Sequence, residues 1–291
     1  MSEFVRLYEV GPRDGLQNEA RIISVEHKIS LIRALVATGL KDIEIGSFVS
    51  EKWLPQMANT DRVLAGLDYG REVNYTVLVP NMKGFEAWRE ARAALPRIPG
   101  EIAVFVSASE GFSKANLNCT IAESLERVRP VVEAALAEGV TVRGYVSCVT
   151  DCPFDGPTAP EAVADMVAKL AEIAEMQVSL GDTIGKGTPE RVQAMLRAVK
   201  RHVPAGWLAG HFHDTDGRAL ANIEASLDEG LRVFDTAVGG LGGCPYAPVA
   251  PGNVATEVVM DRLAALGYET GLDAAAIGRA ATIAKAVSGR T

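Results

Sequence analysis

Two patterns of apolar residues alternate along the 291-residue chain. Short apolar runs rich in β-branched residues are typical of buried strands, and longer segments with apolar positions three and four apart are typical of helices. The runs recur roughly every 25–40 residues, which is the spacing expected for a (β/α)8 barrel. The predicted strands are Val5–Val10, Asp42–Phe48, Val73–Pro80, Glu101–Ser109, Val140–Cys148, Met176–Thr183, Leu208–Thr215 and Val233–Gly239.

The segments between the predicted strands carry residues that start and stop helices. Thr120 and Glu123 have the spacing of a capping box, and Gly139 marks the end of the apolar-periodic stretch that follows them. Thr188 and Pro189 have the pattern of an N-cap followed by proline in the first turn. These signals predict helices in the connections, as a barrel of alternating strands and helices requires.

No low-complexity linker divides the sequence, so residues 1–291 are predicted to form a single barrel domain. Within it, residues 245–291 are predicted to form a long loop and one or two helices that pack on the barrel. A doubly wound open sheet has the same alternation, but its G-x-G-x-x-G turn is expected after the first strand. The charged, proline-containing turn Gly11–Gly15 stands there instead. We therefore predict the α/β class and a (β/α)8 TIM barrel with a C-terminal helical extension.

Composition and charge narrow the possible partners. The net charge of −8 argues against nucleic acid, and it means that an anionic ligand such as CoA requires a local basic patch or helix N-termini. No apolar run is long enough to span a bilayer and the first residues lack a signal-peptide pattern, which predicts a cytoplasmic protein without a membrane partner. Cys119, Cys148, Cys152 and Cys244 are scattered, and we predict free thiols in a reducing compartment.

The most specific chemical signal is the pair His211 and His213 in the seventh predicted strand. Residues two apart on a strand point to the same face, so the two imidazoles form a platform for a metal ion. Asp14 ends the first strand, which lies near the seventh in a closed barrel. Mixed imidazole and carboxylate ligands suit Mg²⁺ or Mn²⁺, and also Zn²⁺. The alternative is a pair of half-buried structural histidines.

Other polar residues at strand ends allow more than one interpretation. Arg13 is suited to stabilise an enolate or to neutralise Asp14 or Glu44. Glu44 itself is either a partner of Arg13 inside the barrel or a surface residue of its strand. Cys244 follows a glycine-rich stretch and is either a proton donor or a small apolar residue. Asp182 is a base, a hydrogen-bonding support for another side chain, or a helix N-cap.

Longer motifs along nearly the whole chain resemble those of the 3-hydroxy-3-methylglutaryl-CoA (HMG-CoA) lyase family. They follow most of the predicted strands and are long enough to be specific. The matching segments are Glu9–Glu19 (EVGPRDGLQNE), Ser47–Ser50 (SFVS), Arg143–Cys148 (RGYVSC), Ser179–Gly185 (SLGDTIG), His211–Thr215 (HFHDT) and Gly239–Tyr246 (GGLGGCPY), with Gly252 and Asn253 after them.

The resemblance implies a metal-dependent carbon–carbon lyase that cleaves HMG-CoA to acetyl-CoA and acetoacetate by retro-Claisen chemistry. It implies Mg²⁺ or Mn²⁺ as cofactor, a CoA thioester as substrate, a homodimer, and a place in leucine degradation. The implied metal ligands are Asp14, His211, His213 and Asn253. The implied catalytic residues are Arg13, Cys244, Asp182 and His211. Substrate contacts are implied for Arg13, Gln17, Glu44 and Tyr145, with Glu257 in a supporting role.

The second strand departs from the family pattern at Glu44-Ile45-Gly46-Ser47. This departure leaves the acyl substituent open, and it predicts that the volume around Ile45 and Gly46 distinguishes the possible substrates. One alternative is a lyase for a related 3-hydroxyacyl-CoA, with a citramalyl-like or isoprenoid-chain acyl group. A second alternative is a barrel that binds CoA or a metal without catalysis.

Overall fold

Eight parallel strands close into a barrel, as the apolar pattern predicts. The computed structural model describes residues 3–69, 73–95, 100–244 and 247–289, with the backbone alone at 244 and 247–251. Each strand hydrogen-bonds to its neighbours in chain order, and the first pairs with the last. Each strand of the barrel lies within a predicted one, so the predicted fold class is confirmed. The strands are β1 Arg6–Glu9, β2 Asp42–Ser47, β3 Asn74–Leu78, β4 Glu101–Ser107, β5 Thr141–Ser147, β6 Gln177–Asp182, β7 Leu208–Phe212 and β8 Val233–Thr236.

Helices surround the barrel and cover the apolar outer faces of the strands. At the start of one helix, Thr120 and Glu123 form the predicted capping box, while the Thr188 side chain makes no capping hydrogen bond. No helix within the described residues is long and apolar enough to cross a membrane. The helices are α1 Val25–Val36, α2 Thr60–Ala65, α3 Met82–Ala93, α4 Ile121–Ala137, α5 Pro160–Ile173, α6 Pro189–Val199, α7 Ala219–Asp228, α8 Thr256–Ala265 and α9 Ala274–Ser288.

The C-terminal extension consists of α8 and α9. The long helix α9 packs against α1, and its buried face is built largely from alanine with Ile277 and Val287. The Asp273 carboxylate caps its first turn by accepting a hydrogen bond from the backbone N–H of Ala276. The predicted helical extension is therefore present in the described part of the chain.

The interior of the barrel is polar below its C-terminal mouth. The Tyr8 hydroxyl lies 2.5 Å from Thr76 Oγ1 and 2.6 Å from Glu101 Oε2. Above them, the Arg143 guanidinium is fully buried, stacks 3.9 Å from the centre of the Tyr8 ring, and pairs with Asp235. Interiors of such barrels are more often filled by Val, Ile and Leu. Here paired polar groups fill the interior and support the polar residues at the mouth.

Candidate active site

The first polar residues of the site lie in a single π-helical turn, Gly11–Gly15, directly after β1. This turn packs tightly against the loop after β8. A Cβ atom on Gly15 would stand 2.6 Å from the Cβ of Leu241, so only glycine fits there. The close contact fixes the turn, and it directs Arg13 and Asp14 over the mouth of the barrel.

Asp14, His211 and His213 come together at the C-terminal mouth, as the sequence predicts. The two histidine Nε2 atoms are 3.3 Å apart, and each lies 4.0 Å from Asp14 Oδ2. Both histidines are buried, and Asp14 is partly exposed to the mouth. The structure therefore brings three potential metal ligands to one point.

The three donor atoms fit a divalent cation. With bonds of about 2.1 Å, neighbouring donors of an octahedron lie about 3 Å apart and opposite donors about 4 Å apart. The observed distances, 3.3 Å between the histidine nitrogens and 4.0 Å from each of them to Asp14 Oδ2, leave a point about 2.2 Å from all three atoms, close to a normal bond length. Burial and the neighbouring His211 lower the pKa of His213 to about 4, so its imidazole is neutral, as a metal ligand must be. Although burial raises the pKa of Asp14, the charge of Arg13 outweighs this effect and lowers that pKa to about 2, which keeps the carboxylate ionised.

A buried carboxylate lies behind His211. Asp235 Oδ2 is 3.1 Å from His211 Nδ1, and the Ser179 hydroxyl donates a hydrogen bond to the same oxygen at 2.7 Å. Two nitrogens of Arg143 hold the Asp235 carboxylate at 2.6 Å and 3.1 Å. Although burial raises the pKa of Asp235, the charge of Arg143 and the His211 hydrogen bond keep it well below its usual range. Although burial lowers the pKa of His211, the hydrogen bond and charge of Asp235 outweigh this effect and raise it. Asp235 accepts the Nδ1 proton, so in the neutral ring the lone pair of Nε2 is the one that faces Asp14 and His213.

Arg13 is held by two carboxylates. Its Nη1 lies 2.7 Å from Asp14 Oδ1, and its Nη2 lies 2.7 Å from Glu44 Oε2. The Tyr145 hydroxyl donates to the same Glu44 oxygen at 3.0 Å, and the Tyr145 ring lies 5.4 Å from the Arg13 guanidinium carbon. Burial lowers the pKa of Arg13, but the charges of Glu44 and Asp14 outweigh it and raise that pKa. The structure thus shows Glu44 as the partner of Arg13 inside the barrel, which decides between the two interpretations of Glu44.

Gln17 and Asn253 both hold Asp14. The Gln17 amide donates to Asp14 Oδ1 at 2.8 Å, and Asn253 Nδ2 donates to Asp14 Oδ2 at 2.7 Å. Asn253 also forms a backbone bridge with His213, so it lies beside the ligand cluster. In this arrangement its amide nitrogen faces the carboxylate. A half-turn of the amide would present its oxygen to the same place.

Asp182 ends β6, and its carboxylate organises the loops around it. Thr150 donates a hydrogen bond to Oδ1 at 2.6 Å, and the backbone N–H of Gly187 donates to Oδ2 at 2.8 Å. Burial raises the pKa of Asp182 despite these hydrogen bonds. The observed contacts match the hydrogen-bonding support among the three interpretations of this residue.

The glycine-rich stretch before Cys244 lies next to Asn253 and the Gly11–Gly15 turn. Gly239, Gly240 and Gly242 have positive φ angles, and a Cβ on Gly242 would stand 2.9 Å from Asn253 Nδ2. Gly243 and Cys244 form a short strand that pairs with Ala247–Pro251. The side chain of Cys244, for which proton transfer is predicted, lies outside the described residues.

Glu9 ties the turns after β1 and β8 together. Its Oε1 accepts hydrogen bonds from the backbone N–H groups of Gly11 at 2.8 Å and Val238 at 3.0 Å, and its Oε2 accepts one from Thr256 at 2.7 Å. Complete burial raises the pKa of Glu9 to about 7. The Glu257 carboxylate accepts a further hydrogen bond from Gly239 in the same region.

The opposite side of the mouth is apolar. Leu78 of β3, Ala103 and Phe105 of β4, and Tyr145 of β5 form a cluster with Val49 that is separate from the main core. Val49 and Phe105 in this cluster are partly exposed, although both lie close to the barrel. We call these five residues the apolar wall.

The prediction that Ile45 and Gly46 line a substrate pocket is wrong. Ile45 is buried in the core between the strands and the helices, and a Cβ on Gly46 would stand 2.5 Å from Oγ1 of Thr60, the first residue of α2. The register of β2 against β3 shifts between Glu44 and Gly46. Glu44 therefore faces the mouth, while Ile45 and Gly46 face away from it.

Sequence reasoning missed Asp235 and Ser179 as parts of the site. Both lie within predicted strands, and both point into the barrel beneath His211. The available signal was an acidic residue inside an otherwise uncharged strand, since Asp235 follows Val233 and Phe234 and precedes Thr236. Cys119, Cys148 and Cys152 are free and buried.

Comparisons with known proteins agree with the motifs. A family model described as HMGL-like matches residues 4–283. A Pseudomonas aeruginosa relative named 3-hydroxy-3-isohexenylglutaryl-CoA/hydroxy-methylglutaryl-CoA lyase is 52% identical over 287 residues, which cover 99% of this chain and 94% of the relative. A hydroxymethylglutaryl-CoA lyase from Pseudomonas mevalonii is 51% identical over 275 residues, covering 94% and 89% of the two chains. The crystal structure of the HMG-CoA lyase from Brucella melitensis has a TM-score of 0.95 and 54% identity, covering 99% of this chain and 100% of that one.

Proposed function

Because the chain belongs to the HMGL-like family, we propose that it is a carbon–carbon lyase that cleaves HMG-CoA into acetyl-CoA and acetoacetate. The observation that carries this proposal is the buried group of Asp14, His211 and His213 beside Arg13 at the C-terminal mouth. Active sites of (β/α)8 enzymes form at that end of the barrel. A cation site next to a fixed guanidinium is suited to a substrate that develops negative charge on a thioester oxygen.

We propose that Asp14, His211 and His213 hold a Mg²⁺ or Mn²⁺ ion, with the Asn253 amide oxygen as a fourth protein ligand. The donor set supports this, since carboxylate, amide and imidazole ligands suit these cations and three donors already converge. A bound divalent cation lowers the pKa of a hydroxyl group that coordinates it. The buried pair of Asp235 and Arg143 keeps the His211 ring oriented for this role.

Arg13 is proposed to stabilise the enolate oxygen that forms when the C2–C3 bond breaks. Its two terminal nitrogens are fixed by Asp14 and Glu44, so the guanidinium needs no reorganisation as charge develops. Its Nε is buried and has no hydrogen-bond partner within the described residues, so one donor of the guanidinium is unused in this arrangement. Gln17 and Tyr145 support this arrangement through Asp14 and Glu44.

Proton transfer is proposed for Cys244, while Asp182 and His211 are proposed to contribute to catalysis by holding a loop and the cation. The proposal for Cys244 is supported by its backbone, which directly follows the glycine-rich stretch that contacts the Gly11–Gly15 turn. Asp182 is proposed to act by holding the loop after β6, because Thr150 and Gly187 already engage its carboxylate. A thiol is a suitable proton carrier near neutral pH.

The test is a coupled assay of acetoacetate release from HMG-CoA with added Mg²⁺ or Mn²⁺, repeated after treatment with EDTA. We expect turnover that EDTA abolishes and that added cation restores. His211→Asn and His213→Asn should remove activity, whereas His202→Asn at an exposed position serves as the matched control. A folded protein without turnover in the presence of metal would overturn the proposed substrate.

A second candidate substrate class is favoured by one observation. The apolar wall beside Tyr145 would suit a longer alkyl group, as in the related 3-hydroxyacyl-CoA esters with an isoprenoid-like chain. The Pseudomonas aeruginosa relative carries both kinds of substrate in its name. The same assay with such an ester shows whether the protein cleaves HMG-CoA alone or both esters. If it cleaves neither ester, a binding protein without catalysis is favoured.

The resemblance further predicts a cytoplasmic homodimer that takes part in leucine degradation. These remain proposals that rest on the family relationship. Size-exclusion chromatography with light scattering measures the mass of the particle in solution, and a mass of one chain would contradict the homodimer.

A further inference from the structure

We infer that the apolar wall selects the substituent on C3 of the substrate, with Phe105 and Leu78 setting the length of alkyl group that fits. This inference rests on the proposed lyase function and adds the residues that would determine its substrate range. In this inference the apolar wall, and not the region around Ile45 and Gly46, determines which size of substrate is accepted.

The register of the barrel shows that the wall faces the mouth. Phe105 pairs with Tyr145 across β4 and β5, and paired residues of neighbouring parallel strands point to the same face. The Tyr145 hydroxyl bonds to Glu44, which holds Arg13, so this face is the interior. Leu78 pairs with Ala103, which lies two residues before Phe105 on the same face.

The exposure of Phe105 shows that the wall lines open space. Its neighbours Val104 and Val106 in β4 are completely buried, because they face the helices. Phe105 is only partly buried, although it lies inside a closed barrel covered by helices. An interior side chain of a barrel reaches solvent only where the interior is open, which here is the C-terminal mouth.

The wall begins next to the metal ligands. The Tyr145 ring lies edge-on to the His211 ring, with 6.3 Å between ring centres, and Tyr145 also contacts Arg13. A ligand that reaches the metal group and Arg13 therefore touches Tyr145. Beyond Tyr145, the next residues along the mouth are Phe105 and Leu78, which carry no polar side-chain atoms.

The four groups on C3 of the substrate have different chemistry. The hydroxyl and carboxylate are suited to the cation, and the thioester carbonyl is suited to the guanidinium of Arg13. The alkyl substituent alone gains from contact with apolar side chains, because its transfer from water to an apolar surface is favourable. Because the three polar groups of the substrate are suited to the cation and to Arg13, the alkyl substituent is the group that is suited to the apolar wall.

The experiment compares kcat/KM for HMG-CoA with kcat/KM for the analogue that carries a hexyl group on C3. Each added methylene in an apolar pocket changes selectivity by about tenfold or more. Phe105→Ala enlarges the space and should raise the hexyl-to-methyl ratio by about tenfold. Leu78→Phe narrows it and should lower the ratio by a similar factor. Val104→Ala is the matched control in the same strand, and it should leave the ratio unchanged because Val104 faces the helices.

The outcomes separate this inference from the proposed function. An unchanged ratio in Phe105→Ala and Leu78→Phe would overturn the inference while leaving lyase activity in place. Equal changes for both esters would also overturn it, since the wall would then contact the CoA arm that the two esters share. A wild-type protein that cleaves neither ester would overturn the proposed function instead. If Phe105→Ala does not fold by circular dichroism, the Leu78→Phe ratio decides alone.

Discussion

The two sides of the barrel mouth are built on different principles. On one side, the turn after β1 and the ends of β7 and β8 carry charged groups, and each charge is paired within the protein. On the other side, β3, β4 and β5 present the apolar wall, whose residues contribute shape and no charge. Tyr145 and Glu44 lie on the border, where a hydrogen bond joins the two sides. Under the proposed function, reaction chemistry and substrate selection lie on separate strands, so mutations can test them separately.

The largest effect on activity is expected when Arg13, on the polar side of the mouth, loses its paired contacts with Asp14 and Glu44. Arg13→Lys keeps the positive charge but cannot reach Asp14 and Glu44 at the same time. We expect kcat for HMG-CoA to fall about 10³-fold, because a fixed donor for the developing charge is lost. Steady-state kinetics with saturating Mn²⁺ measure this fall.

The control for Arg13 is Arg6→Lys, since Arg6 pairs with Asp42 at the opposite end of the barrel. Its kcat should be close to that of the wild type. A kcat for Arg13→Lys within about threefold of the wild type would show that Arg13 does not contact the reacting group.

A smaller effect is expected at Asp235, which lies behind His211 in the barrel interior. Asp235→Asn removes the charge behind His211 and leaves Arg143 without its buried partner. We expect the Kd for Mn²⁺ to rise about 10–100-fold, as found for residues that orient metal-binding histidines. The free energy of unfolding should fall by about 3–5 kcal/mol, because one partner of a buried ion pair is lost. Calorimetric titration with Mn²⁺ and urea unfolding measure the two effects without an activity assay.

Asp228→Asn on the exposed face of α7 is the matched control for Asp235. It should change neither the Kd for Mn²⁺ nor the free energy of unfolding by a measurable amount. An unchanged Kd in folded Asp235→Asn would remove Asp235 from the metal site and leave it a purely structural partner of Arg143.

The smallest effect is expected in the pH dependence of stability, through Glu9 beneath the polar side. Burial raises the pKa of Glu9 from 4.5 to about 7, so the folded chain keeps a proton that the unfolded chain releases. The contribution of this group to stability is complete below pH 4.5 and is lost as the pH rises through about 7. The loss amounts to at most about 3 kcal/mol.

Glu9→Gln should abolish this part of the pH dependence, because the amide does not titrate and its oxygen can still accept from Gly11 and Val238. Urea unfolding at about pH 5 and about pH 8 gives the comparison. The exposed Glu126→Gln on α4 should behave like the wild type. An identical pH dependence in Glu9→Gln and the wild type would contradict the raised pKa.

The fold was predictable because the pattern of apolar residues repeats at every strand. The pairing of His211 with His213 was also predictable, since the period of two of a strand places both imidazoles on one face. Asp14 could be added because barrel closure brings the first strand near the seventh. These inferences need only local geometry and the closed ring.

Asp235 and the apolar wall could not be predicted with the same rules. The sequence of a strand does not show whether a single acidic residue such as Asp235 faces the barrel interior or the outside. The same two orientations were open for Glu44. Ile45 was assigned to the pocket because its sequence departs from the family, but the register shift in β2 turns Ile45 towards the helices. Which face of a strand a residue occupies depends on neighbouring strands, and a single irregularity reverses it.

The contact between the Gly11–Gly15 turn and the loop after β8 has a consequence for synthesis on the ribosome. Asp14 and Asn253 touch although they are 239 residues apart in the chain. Contacts between such distant residues form late in folding, because a long loop must close first. A growing chain therefore has no complete metal site until almost all of it has been made. We therefore expect the chain to become active only when the barrel is complete.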